Sequence, residues 1–83
     1  MLNRLKKLNF NTNGACIEMY GNRELVAVGC KSVCDYDKDF IKLDLGSLCM
    51  LIRGAGLVVQ SFVYEQVVVC GQIVSVEFEG VCG

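Results

Sequence analysis

The sequence predicts an all-β domain, built as a small antiparallel β-sandwich or a curled β-roll of about eight short strands. From Ala15 onward, apolar residues either alternate with polar ones at a period of two or occur in short β-branched runs. Gly, Asn or Asp residues interrupt these runs at short intervals, as expected for turns. Eighty-three residues suffice for one domain only.

The first predicted strands form a hairpin. Apolar and polar residues alternate over 17–19, the Gly21-Asn22 pair favours a tight turn, and the apolar segment 25–28 returns. Residues 33–36 are predicted as the next strand, which ends at a polar, tyrosine-centred turn.

The cleanest inward and outward alternation lies over residues 41–45, where Lys42 and Asp44 separate apolar residues. Gly46-Ser47 turns this strand back. The remaining predicted strands are 48–53, 57–63, 67–70 and 73–78.

Several glycines are predicted to be structural, because they lie in turns or interrupt strand patterns where the chain must bend. They are Gly21, Gly29, Gly54, Gly56 and Gly71. A weak internal echo supports this: ELVAVGCKSVCDYD (24–37) aligns with QVVVCGQIVSVEFE (66–79), so that Gly29 falls on Gly71. Either a strand, glycine bend and strand are used twice, or two β segments are similar by chance.

The composition predicts a partner. The chain is 53% hydrophobic, and segments 49–52, 57–59 and 67–70 are apolar on both sides of a strand. In a sheet with one face in water, apolar and polar residues should alternate along each strand. A second layer or another subunit must therefore cover these strands. We predict a homo-oligomer or larger assembly, with interface residues Cys49, Leu51, Val58, Val67, Val68 and Val69.

The charges divide the chain into a basic N-terminal arm, residues 1–12, and a single β domain, residues 13–83. Three of the eight basic residues lie in the arm, which leaves five basic against nine acidic residues in the domain. This balance gives no basic face for nucleic acid. Leu2, Leu5 and Leu8 recur at helical spacing. The arm is either a short amphipathic segment for a membrane or partner, or a frayed terminus.

No apolar run reaches the length of a membrane span, and the N-terminus lacks the apolar core of a secretory signal. We therefore expect a cytoplasmic protein, with a position peripheral to a membrane as the alternative.

The six cysteines are expected to be mostly reduced, buried strand residues, since nothing directs export. Cys30 and Cys34 invite a metal site, but on one strand they would lie roughly 13 Å apart at ~3.3 Å per residue. One metal ion could not bind both. We predict that they share one face of the strand, with Val33 on the other.

Other motifs fail as chemical sites. Asp35, Asp37 and Asp39 begin like a calcium-binding EF-hand, but the glycine and glutamate that should follow are missing. Arg53-Gly54-Ala55-Gly56 precedes no helix that could hold a phosphate. The chain has no histidine, and no base is evident for its serines. We expect no enzyme activity, no cofactor and no small-molecule substrate.

The order of four segments resembles the YabP/YqfC family of sporulation proteins: GNREL (21–25), GCKSVCDYDKDFIKLDLG (29–46), LIRGAGLVV (51–59) and VVVCGQIVSVEFE (67–79). The GNREL segment is closer to the YqfC branch. The resemblance covers about residues 15–80. It implies a non-enzymatic protein, made in the mother cell during endospore formation and acting with a membrane-protein partner.

These observations predict a self-associating structural or assembly component of spore formation. The alternatives are an adaptor for a membrane-protein partner and a metal-binding or ligand-binding module built on the cysteines.

Overall fold

A computed structural model describes residues 7–12 and 15–81. This part of the chain is all-β and contains no helix. The strands are β1 (Lys7–Thr12), β2 (Ala15–Tyr20), β3 (Glu24–Val28), β4 (Ser32–Asp37), β5 (Phe40–Asp44), β6 (Cys49–Val63) and β7 (Gln66–Glu79). No helix long and apolar enough to cross a membrane is found over these residues.

The strands form one seven-stranded sheet in the order β1-β2-β3-β7-β6-β5-β4, and every pairing is antiparallel. β6 and β7 are long, with 15 and 14 residues, and their two halves have different neighbours. Residues 49–53 of β6 pair with β5, whereas residues 66–70 of β7 pair with β3. The sheet therefore curls over itself at the middle of β6 and β7.

We call the two parts of the curled sheet layer A and layer B. Layer A contains β4, β5, residues 49–53 of β6 and residues 75–79 of β7. Layer B contains β1, β2, β3, residues 66–70 of β7 and residues 58–63 of β6. Strands that pass between layers through bends are typical of orthogonally packed sheets.

The bend depends on close approach between β6 and β7. A Cβ atom on Gly54 would overlap the carbonyl oxygen of Gln72, and one on Gly71 would lie 2.6 Å from the carbonyl oxygen of Gly56. Gly71 also has a φ of 134°, which L side chains rarely adopt. Only glycine fits where the two backbones cross.

Each corner of the curled sheet is closed by the turn of a neighbouring hairpin. The β2–β3 turn accepts hydrogen bonds from β7, and the β4–β5 turn accepts hydrogen bonds from β6. The four bonds are Gly71 N–H to Arg23 O (3.1 Å), Ile73 N–H to Asn22 O (2.8 Å), Gly54 N–H to Asp39 O (3.1 Å) and Leu57 N–H to Lys38 O (2.7 Å). Backbone groups at the bend that leave the ladder are thereby satisfied.

The core lies between the two layers and takes residues from both. Its largest fully buried members are Ile17, Leu25, Ile41, Leu43, Met50, Ile52, Leu57, Val67 and Val69. Along each strand these residues alternate with outward-facing ones, as the period of a β-strand requires.

The all-β prediction is confirmed, and the curled sheet matches the predicted roll, but the strands are divided differently. Predicted strands 48–53 and 57–63 are one bent strand, β6, and 67–70 and 73–78 are one bent strand, β7. Glycines bend these strands without ending their pairing. The sheet has seven strands, against about eight predicted. The two mergers lower the number of strands, and β1, which we did not predict, adds one.

The N-terminal region also differs from the prediction. Residues 7–12 of the predicted basic arm form β1, which pairs with β2 from Lys7↔Tyr20 to Thr12↔Ala15. Leu8 therefore lies in a strand, although the spacing of the leucines is helical. Leu2 and Leu5 lie outside the described residues.

The internal echo has a structural counterpart. β3 leads through Gly29, with a φ of 95°, into β4, and thus runs from layer B to layer A. β7 makes the same passage through Gly71. A strand, a glycine bend and a strand are used twice to join the layers.

Candidate interaction surface

Of the residues predicted at an interface, four are covered by the chain itself. Cys49, Leu51, Val67 and Val69 are each no more than 4% exposed. Val67 and Val69 face the core, whereas Cys49 and Leu51 alternate with the core residues on β6 and are nonetheless buried. For Val67 and Val69 the curled sheet supplies the cover that we assigned to another subunit. Cys49 and Leu51 are buried within the chain on the other side of β6.

Val58 and Val68 remain accessible on the outer side of layer B. Val58 is 50% exposed and Val68 is half-buried. Val68 lies directly opposite Val26 on β3, and Val58 lies opposite Cys70 on β7. The next outward residue of β3, Val28, is 41% exposed and lies opposite Cys16.

These side chains form a continuous apolar surface that spans β2, β3, β7 and β6. We call it the valine face and define it as Cys16, Val26, Val28, Val58, Val68 and Cys70. Of these, Val26 is itself buried, at 9% exposure, between its neighbours. The surface is built from alternate positions of strands whose other side fills the core, so it follows from the same period-two pattern.

Polar residues border the valine face. Glu18 and Glu24 lie on its β2 and β3 sides, and Tyr20 donates a hydrogen bond to Glu18 (3.1 Å). On the β6 side, the Cys70 thiol donates to the side-chain oxygen of Gln60 (3.1 Å). An apolar centre with a polar rim is the usual anatomy of a protein interface.

A second exposed apolar element is the β6–β7 hairpin tip, which sequence reasoning missed. Tyr64 and Glu65 form a two-residue turn in which both have positive φ, 53° and 61°. Tyr64 is 96% exposed, and Val63 and Phe62 beside it are exposed as well. The short gap between predicted strands 57–63 and 67–70 was a signal for a turn. The residues of this turn, however, are not the Asn-Gly pair that is common in two-residue hairpin turns.

The hairpin tip is held in place by its own backbone. The carbonyl oxygen of Glu65 accepts hydrogen bonds from the N–H groups of Gly29 and Cys30, both 2.9 Å. The Glu65 carboxylate also forms an ion pair with Lys31 (3.4 Å). The tip therefore presents Tyr64 on a fixed base.

The predicted arrangement of Cys30, Cys34 and Val33 is wrong. Cys30 is fully buried and Val33 packs against the core, whereas Cys34 is exposed. Cys30 precedes β4 rather than lying in it, and the β4–β5 register shifts between Val33 and Asp35. Both irregularities break the alternation on which the prediction depended.

Burial also determines the chemistry of Cys30. Desolvation raises the pKa of its thiol to about 11, and a backbone hydrogen bond from Ser32 lowers it by a smaller amount. The protonated thiol donates a hydrogen bond to the Ser32 carbonyl. Burial likewise raises the pKa of the Cys70 thiol, with a smaller effect from Glu24. Neutral thiols are poor nucleophiles and poor metal ligands. No group of three metal-binding side chains comes together in the described part of the chain.

The redox prediction holds for most of the described cysteines. Cys16, Cys30, Cys34 and Cys70 are not in disulfide bonds. Cys49 is disulfide-bonded, contrary to the expectation of a reduced strand residue. Cys82 lies outside the described residues.

Tyr36, at the centre of the predicted turn, lies in β4, and the turn itself is formed by Lys38 and Asp39. Its hydroxyl accepts a hydrogen bond from the Val59 N–H (3.0 Å). This bond links edge strand β4 of layer A to residues 58–63 of β6 in layer B. Tyr36 therefore has a structural role that a turn position did not suggest.

The model of the YabP family matches residues 11–81. The chain belongs to the YabP family. Family membership is consistent with a sporulation-related protein. No curated protein and no solved structure gives a significant match.

Three of the four segments that carry the resemblance to the YabP family lie at the bends and corners of the sheet, and the fourth, 29–46, contains β4 and β5. Segment 21–25 forms the β2–β3 turn and the start of β3, and segment 51–59 spans the bend of β6. Segment 67–79 forms nearly all of β7, including the crossing at Gly71. These segments fix the curl of the sheet.

Proposed function

We propose that this YabP-family protein is a non-enzymatic, self-associating structural component that acts in the mother cell during endospore formation. We also place it in the YqfC branch, on the strength of the GNREL segment at residues 21–25. The observation that carries self-association is the valine face of layer B, on which Val28 and Val58 are exposed and Val68 is half-buried.

The valine face favours association because the surface that would lose contact with water is mostly apolar. Val28 and Val58 are about half exposed, and burying what remains accessible would contribute about 1 kcal/mol for each side chain. The charged residues Glu18 and Glu24 lie at the rim, where they stay in contact with water.

A structural rather than catalytic role is supported by the chemistry of the side chains. The chain has no histidine. Among the described residues, none of the polar or charged side chains is buried. The one strongly perturbed thiol, Cys30, has its pKa raised to about 11, opposite to the shift of an activated nucleophile.

The proposal is tested by Val58→Glu, since a carboxylate at this exposed position of the valine face would have to be buried on association. We expect the mass in solution to fall toward that of the monomer, measured by analytical ultracentrifugation. Val81→Glu is the matched control, because Val81 is exposed and lies after the end of β7. An unchanged mass for Val58→Glu would contradict the valine face as the contact.

A second candidate function is an adaptor for a membrane-protein partner, and the hairpin tip is the observation that favours it. Tyr64 is almost fully exposed on a rigid turn, which suits an anchor that enters a partner's pocket. Such an adaptor would be cytoplasmic and peripheral to the membrane. A Tyr64→Ser protein that kept its wild-type position in sporulating cells, seen by fluorescence, would count against it.

A further inference from the structure

The curled sheet has several free edges, and they differ in how they are protected. Edge strand β4 carries a register shift at Val33/Asp35 and the acidic residues Asp35 and Asp37. Residues 58–63 of β6 are engaged by the Tyr36 hydroxyl, which accepts the Val59 N–H. Bulges, charges and covering groups of this kind prevent strand addition.

Residues 75–79 of β7 also carry two acidic residues, Glu77 and Glu79, but no register shift falls within their pairing. Among the described residues their ladder partner is β6 alone, and β3 ends opposite Cys70 before it could reach them. Their pairing with residues 49–53 is regular, and the segment contains no proline, lysine or arginine. It is therefore an open edge with five consecutive residues able to pair.

The side chains of this edge are divided by face. Val76 and Phe78 lie opposite the core residues Ile52 and Met50, and Phe78 is still 45% exposed. Ser75 and Glu77 point to the other side of the sheet, as alternate residues must. The Glu77 carboxylate lies 4.0 Å from Arg53 Nε. An added strand would need apolar residues on the first side and, on the second, a group that can hydrogen-bond to Glu77 beside this arginine.

We propose that a second copy of this chain supplies that strand, by antiparallel pairing of β7 with β7 centred on Val76. In this register Val76 faces Val76 of the other copy, and the Ser75 hydroxyl faces the Glu77 carboxylate twice. The proposal rests on the proposed self-association and specifies one contact that produces it.

Other registers are less favourable for reasons visible in the sequence. Centring the pair on Glu77 sets two carboxylates directly opposite each other, and centring it on Phe78 sets Glu77 opposite Glu79. Like charges directly opposite destabilise a sheet. Centring it on Ser75 sets Ile73 opposite Glu77, close to the centre of the contact, and the N–H and carbonyl groups of Ile73 already bond to Asn22. Centring it on Val76 brings Ile73 only to the outer end of the contact, opposite Glu79.

The two faces of the molecule would then have different tasks. Layer A would continue across the twofold axis into layer A of the other copy. The valine face of layer B would remain outside this contact and available for another neighbour. A subunit with two separate self-contacts allows growth beyond a dimer.

The test is a matched pair of substitutions at Ser75, Ser75→Glu and Ser75→Lys. In the Val76-centred register, Glu would face Glu77 of the other copy and Lys would form an ion pair with it. Because the contact occurs twice, we expect the dissociation constant to rise about 2- to 30-fold for Ser75→Glu and to fall by a similar factor for Ser75→Lys. Sedimentation equilibrium measures both.

Ser75→Glu is expected to weaken association without weakening folding, which distinguishes the two effects. Within one chain, Ser75 lies opposite Arg53, so Ser75→Glu gains an opposite charge across β6 and should fold at least as well. The double variant Ser75→Glu with Glu77→Lys restores opposite charges between copies, so its dissociation constant should fall below that of wild type, as expected for Ser75→Lys.

The outcomes distinguish this inference from the proposed function. If Ser75→Glu and Ser75→Lys change the dissociation constant equally, the β7 register is wrong. If neither changes it while Val58→Glu dissociates the assembly, self-association stands and the β7 edge is excluded. A wild-type protein that stays monomeric overturns both.

Discussion

At the scale of single residues, burial determines what each cysteine and valine can do, and it separates residues that look alike in sequence. Val67 and Val68 are neighbours in an apolar run, yet one is fully buried and the other belongs to the valine face. Cys30 and Cys34 differ in the same way. A pattern of residue types predicts the strand, but the bulge at Val33/Asp35 that sets the facing of Cys34 has no sequence signature.

The raised pKa of Cys30 makes stability depend on pH. Because the folded state holds the thiol proton more tightly than the unfolded state, the stabilisation is complete below the ordinary thiol pKa of 9.0 and is lost as pH rises toward about 11. We expect the free energy of unfolding to fall over this range, measured by urea denaturation. Cys34→Ala should keep this fall, and Cys30→Ala should reduce it. An equal slope in both variants would show that Cys30 is not its source.

At the scale of elements, apolar and polar patterns predict where strands lie but not whether the chain bends or reverses between them. The alternation over residues 41–45 predicted β5 correctly, because one face of that strand is buried and the other is not. The joining of 48–53 to 57–63 was not predictable, since a glycine marks a bend and a chain reversal equally well. β1 was missed although Leu8 and Phe10 alternate with polar residues, because we gave more weight to the helical spacing of the leucines and to the basic charges of this segment.

The β6–β7 turn gives a prediction at this scale. Tyr64 has a positive φ of 53° and is 96% exposed, so its side chain adds strain and little packing. Tyr64→Asn should raise the free energy of unfolding by about 0.5–1 kcal/mol, because Asn tolerates this conformation. Tyr64→Ala is the control that keeps the strain and should not stabilise. If Asn and Ala destabilise equally, Tyr64 contributes packing that its exposure does not suggest.

At the scale of the whole molecule, the chain itself buries part of the apolar surface for which we predicted a partner. Curling at Gly54 and Gly71 buries one side of both layers, which explains why Val67 and Val69 need no second subunit. The valine face and the β7 edge are what this curl leaves uncovered. From sequence, the apolar excess was visible, but its division between core and surface depends on which strands bend.

Our central proposal is that the surfaces left uncovered by the curl bind other copies of the same chain. Its most direct test is the mass of the wild-type protein by sedimentation equilibrium over a wide concentration range. We predict a mass above the 9.1 kDa of one chain, rising with concentration. A constant mass of 9.1 kDa up to ~1 mM, where even contacts of about 4 kcal/mol would be half formed, would contradict the proposal.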